Sequence, residues 1–145
     1  MGIIRVTTAT EEDYPFIVQR DKHVAPCLIM PKIISGEIRM LRTSDEHGSN
    51  TPSYPVGWLR FGYFWDNIPF LNMIWLDKPY RQRGFGKQAM QHWEKEMKQL
   101  GYNTVMTSTQ ADEQAQHFYR KMGYKDSGAL LMDTQPLEIF LIKKI

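Results

Sequence analysis

Arg81, Arg83 and Lys87 bracket two glycines, Gly84 and Gly86, inside the run DKPYRQRGFGKQAMQHWEKEMKQL from Asp77 to Leu100. An apolar, strand-like run, Phe70 to Leu76, precedes it. Ala89, Met90, Trp93, Met97 and Leu100 follow at three- and four-residue spacing up to Gly101. This spacing predicts a strand, a glycine loop and a helix in that order, with the five apolar side chains turned inward. The first turn of a helix carries N–H groups with no internal partner, and its peptide dipoles add partial positive charge. Glycines let such a backbone approach an anion closely, and the three cations reinforce it. The chemistry implied is the grip of a diphosphate by the amides of Gln82 to Lys87. The competing reading is a tight turn of an ordinary α/β unit with solvated basic side chains. Two other phosphate loops do not fit: Gly86-Lys87-Gln88 lacks the hydroxyl that follows the lysine of a P-loop, and Ala89 stands where a dinucleotide fingerprint needs a third glycine.

The rest of the chain must supply elements that position this loop. Its 145 residues suffice for one domain, 1–145, with a real core, and a formal charge of +2 is too mild to indicate nucleic acid. Cys27 is the sole cysteine, which excludes an internal disulfide and suits a reducing compartment. No leader pattern or long apolar run is visible, so the expectation is a cytoplasmic protein with no membrane partner. The four histidines show no metal-ligand spacing with Cys27, and no metal is expected.

Gly2–Thr8 reads as a strand rich in β-branched residues. Thr10-Glu11-Glu12-Asp13 reads as a capped helix start carrying Tyr14, Ile17 and Val18 inward, with Pro15 tolerated in the first turn. A second helix is expected over Cys27–Ser35, ending at Gly36, and a short strand over Glu37–Arg42. Thr43–Pro55 is the most turn-rich run, a hairpin connection or a lid. Val56–Trp65 and Ile68–Leu76 read as antiparallel strands joined at Asp66-Asn67. After the central helix come a strand (Asn103–Ser108), a helix (Gln114–Met122) capped by Asp112 and closed by Gly123, and a hairpin (Tyr124–Met132, Leu137–Ile142). The fold class expected is mixed α/β: a central, mostly antiparallel sheet of about six or seven strands flanked by about four helices.

Arg81-Gln82-Arg83-Gly84-Phe85-Gly86 resembles the Arg/Gln-x-x-Gly-x-Gly/Ala loop of the GCN5-related N-acetyltransferase superfamily. Asp112–Tyr124, DEQAQHFYRKMGY, is similar to that superfamily's Asn-x-x-Ala-x-x-Phe-Tyr-x-Lys-x-Gly-Phe helix. Two motifs in the right order are more specific than either alone. The resemblance implies an acetyl-coenzyme A-dependent transferase acting on an amine acceptor, a small molecule or a protein. Direct transfer would occur in a ternary complex, with no covalent enzyme intermediate. It implies that Arg81, Gln82, Arg83, Gly84, Phe85, Gly86 and Lys87 hold the diphosphate. The backbone of Ile74 and Leu76 would pair the pantetheine arm, an N–H near Leu76 would polarise the thioester carbonyl, and Asp112 would contact the cofactor. The first two helices would wall the acceptor pocket, which Trp58, Trp65 and Trp75 either line or leave for the core. A homodimer is left open.

By the same resemblance Tyr119 contacts the cofactor and is the general acid for the departing thiolate. Its reference pKa near 10 lies above a thiol's, about 8.5, so hydrogen bonding rather than full proton transfer is the larger part. An attacking alkylamine is neutral in only roughly 1 of 2,500 molecules at pH 7, so a proton acceptor is needed. Many superfamily members carry a glutamate on the strand before the loop, yet Leu71–Leu76 holds no carboxylate here. Asp66, Glu138 and a water relay through Asn72 are the candidates. That departure sustains a second reading, a non-catalytic acyl-coenzyme A-binding module. A third is a generic nucleotide-phosphate-binding α/β domain.

Overall fold

In the computed structural model residues 2–44 and 53–145 are described. Over these the chain is a mixed α/β protein with seven strands and four α-helices. The strands are β1 (Arg5–Thr8), β2 (Ile38–Thr43), β3 (Tyr54–Phe64), β4 (Ile68–Leu76), β5 (Thr104–Gln110), β6 (Lys125–Leu130) and β7 (Glu138–Lys144). The helices are α1 (Tyr14–Val18), α2 (Pro26–Ile34), α3 (Phe85–Gln99) and α4 (Ala115–Lys121). The strands form one sheet in the order β1-β2-β3-β4-β5-β7-β6, and β4 with β5 is its parallel pair among the registers described. Among the described residues no helix is long and apolar enough to cross a membrane. The chain comprises two compact units, Met1–Phe61 with Met73–His92, and Gly62–Asn72 with Trp93–Ile145.

In the first unit Ala9, Ile17, Ile29, Ile33, Ile38, Met40 and Trp58 form one buried cluster, with Phe16 and Trp75 packed against it. Trp58 is fully buried and stacks on Trp75 at 4.8 Å between ring centroids. It is a core residue, which settles one of the two readings of that tryptophan. The polar anchor of this unit is Asp13. Its carboxylate accepts from the Thr10 N–H at 2.9 Å, closing a capping box, and pairs with Arg42, which in turn donates to Thr7. A nearly inaccessible Asp21–Arg60 pair at 3.3 Å is a second such tie. Each buried charge is thereby matched, which low-dielectric surroundings require.

In the second unit β5 pairs β7 over seven positions, from Thr104 opposite Lys144 to Gln110 opposite Glu138, and β6 forms the edge. The Tyr124 hydroxyl donates to Glu94 at 2.7 Å and Lys143 donates to the same carboxylate at 2.8 Å. Gly123 (φ 93) ends α4 and Gly101 (φ 99) follows α3, both in the left-handed region that favours glycine.

Several boundaries differ from the sequence reading. The first strand starts at Arg5, because the Gly2 carbonyl and Ile4 N–H are taken by the Gln88 side chain. The second helix begins one residue earlier, at Pro26, and ends at Ile34. Tyr54 and Pro55 belong to β3; the rest of the turn-rich run, 45–52, lies outside the described residues. The β3–β4 turn is centred on Trp65 and Asp66, both at φ 55, and closes from Asn67 N–H to the Phe64 carbonyl. Positive φ at both central residues is what a two-residue hairpin demands, even of a tryptophan. Leu100 is 63 % exposed rather than inward, since α3 ends at Gln99.

Gly57 in β3 sets a test of this packing. A Cβ there would lie 2.1 Å from the Trp75 carbonyl oxygen, whereas one on Gly128 in β6 would meet nothing within 4 Å. Gly57→Ala is expected to lower unfolding free energy by about 1–3 kcal/mol and Gly128→Ala by under about 0.5 kcal/mol, read from denaturant midpoints.

Candidate functional site

The loop between β4 and α3 is built in the first unit by three anchors. Asp77 donates its N–H to the Val56 carbonyl at 2.8 Å and its carboxylate pairs with Arg20 at 3.1 Å. A 3-10 turn, Lys78–Tyr80, follows, and Arg81 folds back so that its Nε donates to the Leu76 carbonyl at 2.7 Å. Phe85, 1 % exposed, then pins the start of α3 and packs on Tyr80 at 6.3 Å, with Arg83 over both rings. Gln88 in the first turn bonds the backbone at Gly2 and Ile4 through both ends of its amide.

Between these anchors the backbone takes left-handed conformations at Gln82 (φ 59) and Gly84 (φ 83). Residues 81–84 and Lys87 are exposed, and the first described helical donor is Gln88, to the Gly84 carbonyl at 3.1 Å. Alternating hands turn successive N–H groups toward one side, and a helix N-terminus continues the row. Such a row accepts an anion. Arg83 and Lys87 stand beside it, whereas one face of Arg81 is already committed to the chain. Tyr80, Gln88, Asp77 and Arg20 are positioning residues that the motif did not indicate; only the long-range pairing reveals them.

In the second unit Tyr119 lies on α4, 6 % exposed, its ring against Phe118 and Tyr124. Burial raises its phenol to about 12, an effect the hydrogen-bonding Thr107 hydroxyl offsets in part and the charge of Glu113 adds to. Thr107 is itself buried and donates to the Leu71 carbonyl at 3.0 Å, at one of the two β4–β5 pairs, Phe70 with Met106 and Leu71 with Thr107. Tyr119 therefore lies beside the parallel junction of the sheet. A phenol near 12 stands about 3.5 pH units above a free thiol, so full proton transfer to a thiolate would cost about 5 kcal/mol. Donation of a hydrogen bond carries no such cost.

The two carboxylate candidates separate by register. Asp66 is exposed in the hairpin turn, five residues before Leu71, or about 17 Å along the strand. Glu138 is half-buried opposite Gln110, three residues beyond Thr107, about 10 Å in the other direction. Glu138 accepts from Gln135 at 3.2 Å. Asn72 is exposed, and its side-chain amide lies over Gly62. Asp112 is exposed and does not cap α4: the N-cap is Gln114. Gln116, in the first turn, donates its amide to the carbonyls of Ala111 and Glu113 and holds the preceding turn from inside the helix. Trp65 is 80 % exposed at the hairpin turn. Cys27 is exposed on α2.

The folded chain holds the Tyr119 proton to about pH 12, while the unfolded chain releases it near 10. Stability is therefore intact below pH 10 and falls as pH rises toward 12, by about 3 kcal/mol for this group alone. Urea unfolding at stepped alkaline pH is expected to show that decline. Tyr119→Phe should have a shallower slope, the part left belonging to Tyr124, which burial and Glu94 also raise.

The acetyltransferase (GNAT) family model matches residues 9–124, more than half the chain. No curated protein matches it significantly. Among solved structures it is similar to a GNAT-family acetyltransferase from Bacillus cereus, with a TM-score of 0.73 and 23 % identity over 99 % of this chain and 98 % of that one. It is similar to the ribosomal-protein-S18-alanine N-acetyltransferase of Escherichia coli, at 0.71 and 18 %, covering 99 % and 94 %. A third likeness, at 0.76 and 13 % over 98 % of each chain, is to a chain of the NatC complex bound to Gag peptide and CoA. At these identities the structural likeness is one of fold, and the family match adds to it. The chain belongs to the GNAT acetyltransferase family.

Proposed function

We propose that residues 1–145 work as a single acetyl-coenzyme A-dependent N-acetyltransferase domain that moves an acetyl group to a primary amine. The observation that carries this is the loop of Gln82 to Lys87: two left-handed residues, exposed residues at 82–84 and 87, and flanking cations at the head of α3. The NatC complex, one chain of which shares the fold, is bound to CoA, and a diphosphate such as that of CoA is the anion we assign to this row.

In this reading Gln82, Arg83, Gly84, Phe85, Gly86 and Lys87 take the diphosphate, with Arg81 contributing only the part of its guanidinium that Leu76 leaves. The backbone of Ile74 and Leu76 pairs the pantetheine arm, and an N–H near Leu76 stabilises the oxyanion. The amine nitrogen attacks the thioester carbon, the carbon–sulfur bond breaks, and the thiolate receives a hydrogen bond from Tyr119. Glu138, or water held near Asn72, takes the amine's proton. Asp66, the third candidate, stands about 17 Å along the strand from Leu71 and is the one this reading favours least. Asp112 retains a role only as an exposed residue before α4 able to meet the cofactor. The protein acts as a cytoplasmic enzyme without a metal.

The non-catalytic acyl-coenzyme A module is favoured by one observation, the absence of a carboxylate in Leu71–Leu76. Two measurements separate the readings. Acetyl-coenzyme A is expected to bind at least 100-fold more tightly than acetyl-pantetheine, which lacks the diphosphate, and far more tightly than ATP; equal affinity for ATP would support a generic phosphate loop. Thiol release with an amine panel is expected for wild type. Tyr119→Phe should lower kcat about 10- to 100-fold, the worth of one hydrogen bond to a charged group, with acetyl-coenzyme A affinity within twofold. Tight binding without turnover on any amine would instead identify the module.

A further inference from the structure

The second unit has one packed sheet face and one open one. Along β5, Val105, Thr107 and Thr109 are buried; on the other face Met106 is buried as well, and the face opens beyond it, at half-exposed Ser108 and Gln110, with Trp65 packed on Phe64 at 4.7 Å. Residues opposite one another on neighbouring strands share a face, so Phe70 lies with Met106, Phe140 with Ser108, and Glu138 with Gln110. Phe64, Phe70 and Phe140 are half-buried there and form a triangle with ring centroids 6.0, 6.1 and 6.0 Å apart. Glu138 stands two residues from Phe140 on β7, one row away, about 7 Å. On the far side of Phe140, β6 presents Gly128, and a Cβ there would touch nothing within 4 Å. The result is an aromatic floor with a carboxylate at one end and an open flank.

We infer that this floor is the acceptor subsite and that it selects amines carried on an aromatic or bulky apolar body. The inference rests on the N-acetyltransferase reading and names its substrate class: the amine would approach the thioester carbon from the open face, past the Leu71–Thr107 pair that is the last β4–β5 pair described, while Tyr119 meets the sulfur from the packed face. The occupant follows from charge complementarity: a carboxylate beside three aromatic rings suits an ammonium on an apolar group, the charge going to Glu138 and the apolar body to the rings. An acidic or hydroxyl-rich amine gains nothing from the rings, and an acidic one is repelled by Glu138.

Calorimetry on the full chain, with and without saturating coenzyme A, compares 2-phenylethylamine with 2-aminoethanol. The aromatic amine is expected to bind at least tenfold more tightly. Phe140→Ala should bring the two within threefold; Phe64→Leu, which keeps apolar volume, should reduce the preference if Phe140→Ala does not fold. Glu138→Gln should weaken the aromatic amine while leaving acetyl-coenzyme A affinity unchanged. Equal affinities in wild type, or a preference that survives both phenylalanine changes, would overturn the inference. Failure of the cofactor reading would show separately, as no heat on adding acetyl-coenzyme A, since the amine arm is also measured without cofactor.

Discussion

Two left-handed residues, Gln82 and Gly84, are the constraint on which the site depends. A glycine adopts that region freely, but a glutamine there costs about 1 kcal/mol, so something must hold it. The holders are on either side. Upstream, Asp77 is fixed by the Val56 carbonyl and Arg20, and Arg81 clasps the Leu76 carbonyl. Downstream, buried Phe85 and the doubly bonded Gln88 fix the first turn of α3. Clamped at both ends, the intervening backbone keeps Gln82 and Gly84 in the left-handed region, and in the proposed reading its N–H groups are the ones that meet the diphosphate. An anion site made this way is ready before its ligand arrives, and little binding energy is lost in ordering it.

The phenol answers a different physical demand. Tyr119 is buried beside Thr107, and Thr107 is bound to the Leu71 carbonyl at the sheet's parallel pair. Burial makes the phenol a poorer proton donor in the full sense and keeps it neutral across physiological pH. A neutral, fixed, poorly solvated hydroxyl is well suited to donate one short hydrogen bond to a developing thiolate. In the proposed function the chemistry asked of it is thus electrostatic rather than proton transfer, in line with the relative acidities of phenol and thiol.

Much of the architecture was legible in the residues. The stripe of Ala89, Met90, Trp93 and Met97 has a period only a helix satisfies, and all four are fully buried. Gly101 and Gly123 carry the positive φ that a stop after α3 and α4 demands. What escaped depends on contacts distant in sequence. Gln88 shortens the first strand from 84 and 86 residues away. Asp112 has the right chemistry for a cap, but α4 starts two residues further on, with Gln114 at the N-cap and no side-chain cap bond. At the β3–β4 hairpin Asp66-Asn67 has the composition of a turn, yet strand register moves its centre to Trp65-Asp66 against local preference. The two residue motifs were local; the clamps on the loop and the aromatic floor on the open face were not.

The most direct measurement is of the loop amides themselves. With the backbone nitrogen-15 labelled, acetyl-coenzyme A added to saturation is expected to shift the amide resonances of Gln82, Arg83, Gly84, Gly86 and Lys87 more than those elsewhere in α3. Acetyl-pantetheine at matched occupancy should leave them in place. Loop resonances that stay unmoved by saturating acetyl-coenzyme A, or that respond equally to both thioesters, would contradict a diphosphate grip and the function built on it.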